Sequence, residues 1–214
     1  MRSAVRPATR GSRRFLVVLA WLVAVVALPS SAQAQWGGEI RMQMGYGGDE
    51  LASVEYSDGS ESSLHLGTYM AFTIGPILEV WSAGSNYLEL QPMIGWAGWS
   101  TGPENTDDRL KFTRIPVELL AFYSFRMPGS ATLFRLGGGA TYHLGGGVRG
   151  TGSLDGFDMD LDNALGFTGE ASAVFGIVSL GLRYTGMDVT IDRLPGTMDG
   201  SSLSLFIGLT TSRN

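Results

Sequence analysis

Two histidines and a stretch of serine and aspartate are the first residues that could do chemistry. His143 lies in Tyr142-His143-Leu144-Gly145, and Ser153 and Asp155 follow on the next segment. Serine, histidine and a carboxylate are the parts of an acyl-transfer site, provided they converge. Alternation along the strand sends His143 to the inner face instead, and His65 is expected to point inward as well. Both are read as histidines bonded to a neighbour, and the chain as a non-enzyme. The run Asp155-Gly156-Phe157-Asp158-Met159-Asp160-Leu161-Asp162 offers oxygen ligands for a hard cation, but lacks the spacing and terminal Glu of a calcium loop. It is read as a solvated acidic loop. No metal and no cofactor is expected. With no Cys there is no disulfide scaffold, no thiolate metal site and no lipid-modified cysteine.

A second set of charges lies within apolar segments. Glu39, Glu89, Glu118 and Glu170 share the sparse polar faces of their segments with Arg41, Arg114, Arg135 and Arg183, and Glu79 lies near one end. Isolated charges in a narrow interior are very costly, so four acids facing four arginines are expected to pair. That predicts an ion-pair network that plugs a lumen. The same residues, read functionally, could line a narrow channel for small solutes.

The elements that must position these residues are strands. Period-two alternation marks eight of them: Trp36–Tyr46, Ser63–Trp81, Tyr87–Trp99, Arg109–Phe125, Ala131–Leu144, Asn163–Phe175, Ile177–Thr185 and Ser201–Thr211. The connections alternate long and short. Gly47–Ser62, Ser100–Asp108, Gly145–Asp162 and Gly186–Gly200 are long; Ser82–Asn86, Arg126–Ser130 and the turn at Gly176 are short. Membrane barrels have this rhythm, because their periplasmic turns are short and their extracellular loops long. One face of each strand is apolar, as in Ile115, Val117, Leu119, Ala121 and Tyr123. The other is mostly Gly, Ser and Thr with one or two charges, as in Ser179, Gly181, Arg183 and Thr185. A water-exposed face carries about 25–35% charged residues, so these polar faces belong inside and the apolar faces against lipid. Trp81, Tyr87, Tyr123, Phe125 and Phe175 fall near the short turns. Tyr46, Trp96, Trp99, Tyr142 and Tyr184 fall near the long loops. Two aromatic girdles are expected from this. A soluble barrel, with its apolar face inward, is the rival architecture.

Residues 1–34 read as a cleaved secretory signal peptide. Arg2, Arg6, Arg10, Arg13 and Arg14 precede an apolar run from Phe15 to Leu28 and the small-x-small site Ala32-Gln33-Ala34. The full chain has 15 Lys+Arg and 20 Asp+Glu. The signal takes five Arg and no acid, which leaves residues 35–214 at a net charge of −10. Such a chain is not a nucleic-acid binder. Fifteen of the carboxylates fall in the connections, where divalent ions could bridge them to anionic lipid heads.

Several segments resemble the small outer-membrane β-barrel proteins of Gram-negative bacteria. They are Tyr87-Leu88-Glu89-Leu90-Gln91-Pro92, Arg114-Ile115-Pro116-Val117-Glu118-Leu119-Leu120, Leu136-Gly137-Gly138-Gly139 and Ser179-Leu180-Gly181-Leu182-Arg183-Tyr184-Thr185-Gly186-Met187. The resemblance implies an OmpA-like barrel, usually without known catalysis. Such barrels commonly end on an aromatic residue, whereas here Phe206 is the last aromatic before Thr210-Thr211-Ser212-Arg213-Asn214. Residues 35–214 are therefore expected to form one all-β domain, an eight-stranded antiparallel up-and-down transmembrane β-barrel exported to the cell outer membrane. Its role is read as structural or surface-interaction. Outer-membrane lipid, lipopolysaccharide and the barrel-assembly machinery are the expected partners, with no surface partner named.

Overall fold

The computed structural model describes residues 36–55, 61–102, 108–190 and 196–211. The signal-peptide reading and the chain's last three residues lie outside these, as do Asp58, Glu104, Asp107 and Asp192. The strands are β1 (Trp36–Tyr46), β2 (Glu50–Glu55), β3 (Glu61–His65), β4 (Tyr69–Ala83), β5 (Asn86–Thr101), β6 (Arg109–Arg126), β7 (Thr132–Thr151), β8 (Asp158–Leu161), β9 (Ala164–Phe175), β10 (Val178–Thr190), β11 (Thr197–Asp199) and β12 (Ser202–Thr210).

Eight of these close into a ring of antiparallel neighbours, β1-β4-β5-β6-β7-β9-β10-β12 and back to β1. The register can be followed once around. From Trp36 it passes through Leu78, Leu90, Ala121, Gly138, Gly169, Tyr184 and Leu203 and returns to β1 at Tyr46, ten residues further on. Eight strands with a stagger of ten residues tilt by about 40° and enclose a bore that side chains can fill. The short connections are tight. At the β9–β10 turn Gly176 takes φ +62°, a conformation that favours glycine.

The apolar faces point outward. Tyr46 is 72% exposed and Leu205 65%, beside exposed Ile40, Met44, Leu119, Leu180 and Leu182. The polar residues Arg41, Glu89, Gln91 and Ser124 are wholly buried inside. This is the reverse of a soluble barrel, and the soluble rival fails on it. Outward apolar residues on β6 run from Ile115 to Phe125; at the strand tilt above that spans about 25 Å, the height of a membrane barrel's lipid-facing band. Trp36, Trp81, Tyr123 and Phe175 ring one end of the band, and Tyr46, Trp96 and Tyr184 the other, all exposed.

Close packing in the bore requires glycine at chosen inward positions. A Cβ on Gly181 would stand 2.5 Å from the Phe206 ring. Gly181→Val is expected to cost about 1–3 kcal/mol by overpacking, read as a lower unfolding midpoint of the heat-modifiable band on a gel. Gly84→Ala, in open space at φ +61°, carries backbone strain alone.

The structure corrects five expectations. The second strand does not begin at Ser63: β2 and β3 form a separate hairpin above the barrel, and β4 starts at Tyr69. His65 therefore lies in that hairpin, its Nδ1 3.3 Å from the Gly48 carbonyl oxygen, and not on the barrel wall. Gly145–Asp162 is not one long loop, because β7 runs on to Thr151 and β8 folds back along it; β10 and β11 do the same next door. Trp99 packs against an inner apolar cluster and takes no part in the girdle.

Candidate functional site: the lumen

Parity places all eight expected charges inside, and their chemistry then divides them. Glu39 and Arg41 come from β1, Glu89 from β5, Glu118 from β6, Arg135 from β7, Glu170 from β9 and Arg183 from β10. Arg41 is the hub. Its Nη1 donates to Glu170 Oε2 at 2.7 Å, and its Nη2 to Glu39 Oε2 at 3.0 Å and Gln91 Oε1 at 2.9 Å. Gln91 Nε2 donates to the same Glu39 oxygen at 2.8 Å, and Ser179 Oγ to Glu39 Oε1 at 2.5 Å. Arg135 bridges Glu39 at 2.9 Å and Glu89 at 3.1 Å. Arg183 Nη2 pairs with Glu118 Oε1 and also donates to Thr168 Oγ1 at 3.2 Å; its Nη1 lies 3.9 Å from Glu170. Three arginines thus hold four carboxylates in one connected cluster that ties together six strands. Charge-assisted bonds of this kind are the strong ones, and in a bore shielded from bulk water each depends on the others.

Arg114 departs from the expected pairing. Among the described residues it makes no ion pair. Its guanidinium instead lies 4.8 Å from the Tyr69 ring centroid and 5.2 Å from that of Phe112, with Nη1 3.7 Å from Met187 Sδ. Arg41 and Arg135 also use rings, lying over Phe122 at 5.9 and 5.2 Å, and Arg41 lies 4.6 Å from Phe206. A desolvated cation over an aromatic face gains about 2 kcal/mol or more. Sequence reasoning counted charges and overlooked these inward rings; the parity of Phe122 with Glu118 was the available signal.

A second feature was also missed. At the long-loop end the faces swap character. On β6, Leu110 and Phe112 point inward while Arg109, Lys111 and Thr113 point outward; on β10, Met187 and Val189 point inward and Asp188 outward. Leu64 and Leu66 from the first long connection join Leu110, Phe112, Val148, Leu161, Ala164, Met187 and Val189 in a buried apolar cluster. The barrel above the band is thus an ordinary protein core, because its outside there meets water. The parity switch between Lys111 and Ile115 was legible in the sequence. Hydrogen bonds hold this cap: Leu66 N–H donates to Asp49 O at 3.0 Å, Asp49 N–H to Asp199 O at 2.7 Å, and Asp199 N–H to the Asp49 side-chain Oδ2 at 2.8 Å. Hydrogen bonds from Ser201, side chain first and then backbone N–H, keep the Asp199 carboxyl below its usual range.

The residues weighed for catalysis do not meet. His143 is buried, with Nε2 3.0 Å from Thr141 Oγ1, which in turn donates to Glu118. Ser153 sits in a 3-10 turn beyond the end of β7, where its N–H donates to Asp108 Oδ1 at 2.6 Å. Asp158 and Asp160 lie on the outward face of β8, and among the described residues no group of three or more His, Asp or Glu is placed to hold a metal ion.

Fold and lumen together define an eight-stranded transmembrane β-barrel filled by a polar cluster and capped by an apolar one. No protein-family model and no curated protein matches the chain. Among solved structures it is similar to Neisserial surface protein A, at 15% identity over 83% of this chain and 99% of that one, with a TM-score of 0.49. It is also similar to Ail, the attachment invasion locus protein of Yersinia pestis, solved with the heparin analogue sucrose octasulfate, at 9% identity over 84% and 100%, TM-score 0.43. A third is the outer membrane protein AlkL in DMPC lipid bilayers, at 12% identity over 100% and 98%, TM-score 0.39. The barrel itself rests on this chain's own closed register.

Proposed function

We propose that the protein is an outer-membrane barrel with a structural or surface-interaction role, and that its lumen is a plug. The observation that carries this reading is the double filling of the bore. Arg41, Arg183, Glu39, Glu89 and Gln91 are fully buried within the band, and Leu64, Leu66, Phe112 and Val148 are fully buried above it. A solute on the axis would have to part both layers. On this reading residues 1–34 are the export signal, the short turns face the periplasm, and contact with the outside falls to the strand extensions and loops. The lipid environment and the assembly machinery are its general partners, and no catalytic step is assigned.

Planar-bilayer conductance of the refolded chain 35–214, with insertion verified separately, tests the plug. An inserted barrel is expected to be electrically silent. Discrete current steps would transfer the lead to a narrow channel for small solutes, with the same charged residues as its lining.

A further inference from the structure

Residues 35–214 hold only ten cations, and their placement is uneven. Four are in the lumen. Arg109 and Lys111 on β6 and Arg149 on β7 lie together on the outward face at the long-loop end, all exposed. Lys111 stands directly opposite Arg149 in the register. Like charges so placed destabilise a sheet. Arg149 has an exposed contact with Asp158, 3.7 Å from Nε to Oδ1; among the described residues Arg109 and Lys111 have no ion-pair partner.

Their height matters as much as their sign. Ile115 pairs with Leu144 at the top of the apolar band. The next outward rung is Gly98, Thr113, Gly147 and Asp160, and the one above it Ser100, Lys111, Arg149 and Asp158. Each outward rung rises about 5 Å at this tilt, so the cations start about 10 Å above the last apolar rung. Arginine and lysine side chains are long enough to reach from there, past Gly98, Thr113 and Gly147, into a headgroup layer roughly 5–7 Å thick, with Asp160 at the β8 side of that rung. An otherwise acidic exterior thus carries a basic ridge at the level where lipid phosphates lie.

We propose that Arg109, Lys111 and Arg149 form a binding ridge for the phosphate groups of outer-leaflet lipid headgroups. A bound phosphate turns the opposed Lys111–Arg149 pair from repulsion into a clamp, with arginine supplying bidentate geometry. The inference rests on the membrane reading above and adds a lipid site to it.

The test uses the full barrel refolded in zwitterionic detergent, with phosphatidic acid as probe and phosphatidylcholine as reference, lipid retention being read by native mass spectrometry. The wild type is expected to retain phosphatidic acid selectively. The R109Q/K111Q/R149Q variant is expected to lose on the order of 100-fold in retention, each cation near an anionic surface contributing a factor of about five. The charge-keeping R109K/K111R/R149K variant should retain selectivity. In lipid-free detergent the triple-glutamine variant should melt close to wild type, since relief of the Lys111–Arg149 repulsion offsets loss of the exposed Arg149–Asp158 contact. Equal retention by wild type and triple-glutamine variant would overturn the ridge. Displacement of the lipid by equimolar inorganic phosphate would overturn the lipid assignment in favour of a soluble-anion site. A heat-modifiability assay in phosphatidylcholine vesicles separates these outcomes from failure of the membrane reading, which would show as a wild-type chain that does not insert.

Discussion

Arg41→Met is expected to destabilise the barrel by about 3–5 kcal/mol, whereas Arg114→Met is expected to be neutral or mildly stabilising. The two arginines are alike in burial, and they differ in what their removal leaves behind. Arg41 holds Glu170 at 2.7 Å, Glu39 at 3.0 Å and Gln91 at 2.9 Å. Without it Glu39 keeps Arg135, but Glu170 is left with Arg183 at 3.9 Å. A buried carboxylate left without its partner loses its compensation. Arg114 holds no carboxylate within ion-pair distance and lies between the rings of Tyr69 and Phe112. Methionine reaches only as far as the arginine's Nε, so it gives up the guanidinium's ring contacts while it removes a desolvated charge, and it strands no carboxylate. Urea unfolding of the refolded barrel in bilayers, followed by the heat-modifiable gel band, gives both values. Equal losses for the two variants would mean that generic burial of charge, and not the connectivity around Arg41, sets the stability of the plug. The same Arg41 variant belongs in the conductance experiment, where it is expected to stay silent, because the apolar layer of Leu64, Leu66, Phe112 and Val148 is untouched.

Leu119→Arg is expected to cost about 2–4 kcal/mol and Thr113→Arg about 0–1 kcal/mol, although both sites face outward on one strand. Leu119 lies near the middle of the band that runs from Ile115 to Phe125, with hydrocarbon on its outer side. Thr113 lies one rung above that band, beside Gly98 and Gly147, where an added guanidinium reaches headgroups and water. The contrast also tests which way the barrel is turned. In a water-soluble protein both substitutions would be surface changes within about 0.5 kcal/mol. The readout is the difference in unfolding free energy in phosphatidylcholine bilayers, and a flat profile along β6 would refute the lipid-facing band.

Both expectations depend on features of very different legibility. Strand number, hairpin order and the outward apolar face were readable from residue order alone. They follow from a period of two, and a one-residue slip would put every leucine of Leu203, Leu205 and Leu209 in the lumen. The inward position of Glu39, Arg41, Glu89, Arg114, Glu118, Arg135, Glu170 and Arg183 followed from the same parity. So did the change of face between Lys111 and Ile115, which was in plain view yet went unused, because one rule of alternation was carried along the whole segment. Strand ends were less legible. Gly145-Gly146-Gly147 reads as loop punctuation, whereas Gly146 and Gly147 are held between β6 and β8 and Gly145, at φ +45°, forms the irregularity beside them.

Which charges meet was not in the sequence at all. Parity assigns a side chain to the interior, but not to a height or a quadrant there. Those depend on the ten-residue stagger of the closed ring, which brings Arg41 to Glu170, 129 residues away, and leaves Arg114 with two rings and a sulfur. The sequence by itself therefore determined that this chain is a barrel with polar contents and an apolar skin, because alternation and burial are local properties of each strand. Only the tertiary structure decided that three arginines carry the network, that Leu64 and Leu66 close the far end, and that Lys111 faces Arg149, because each of these is a contact between segments whose register is set by closure of the whole sheet.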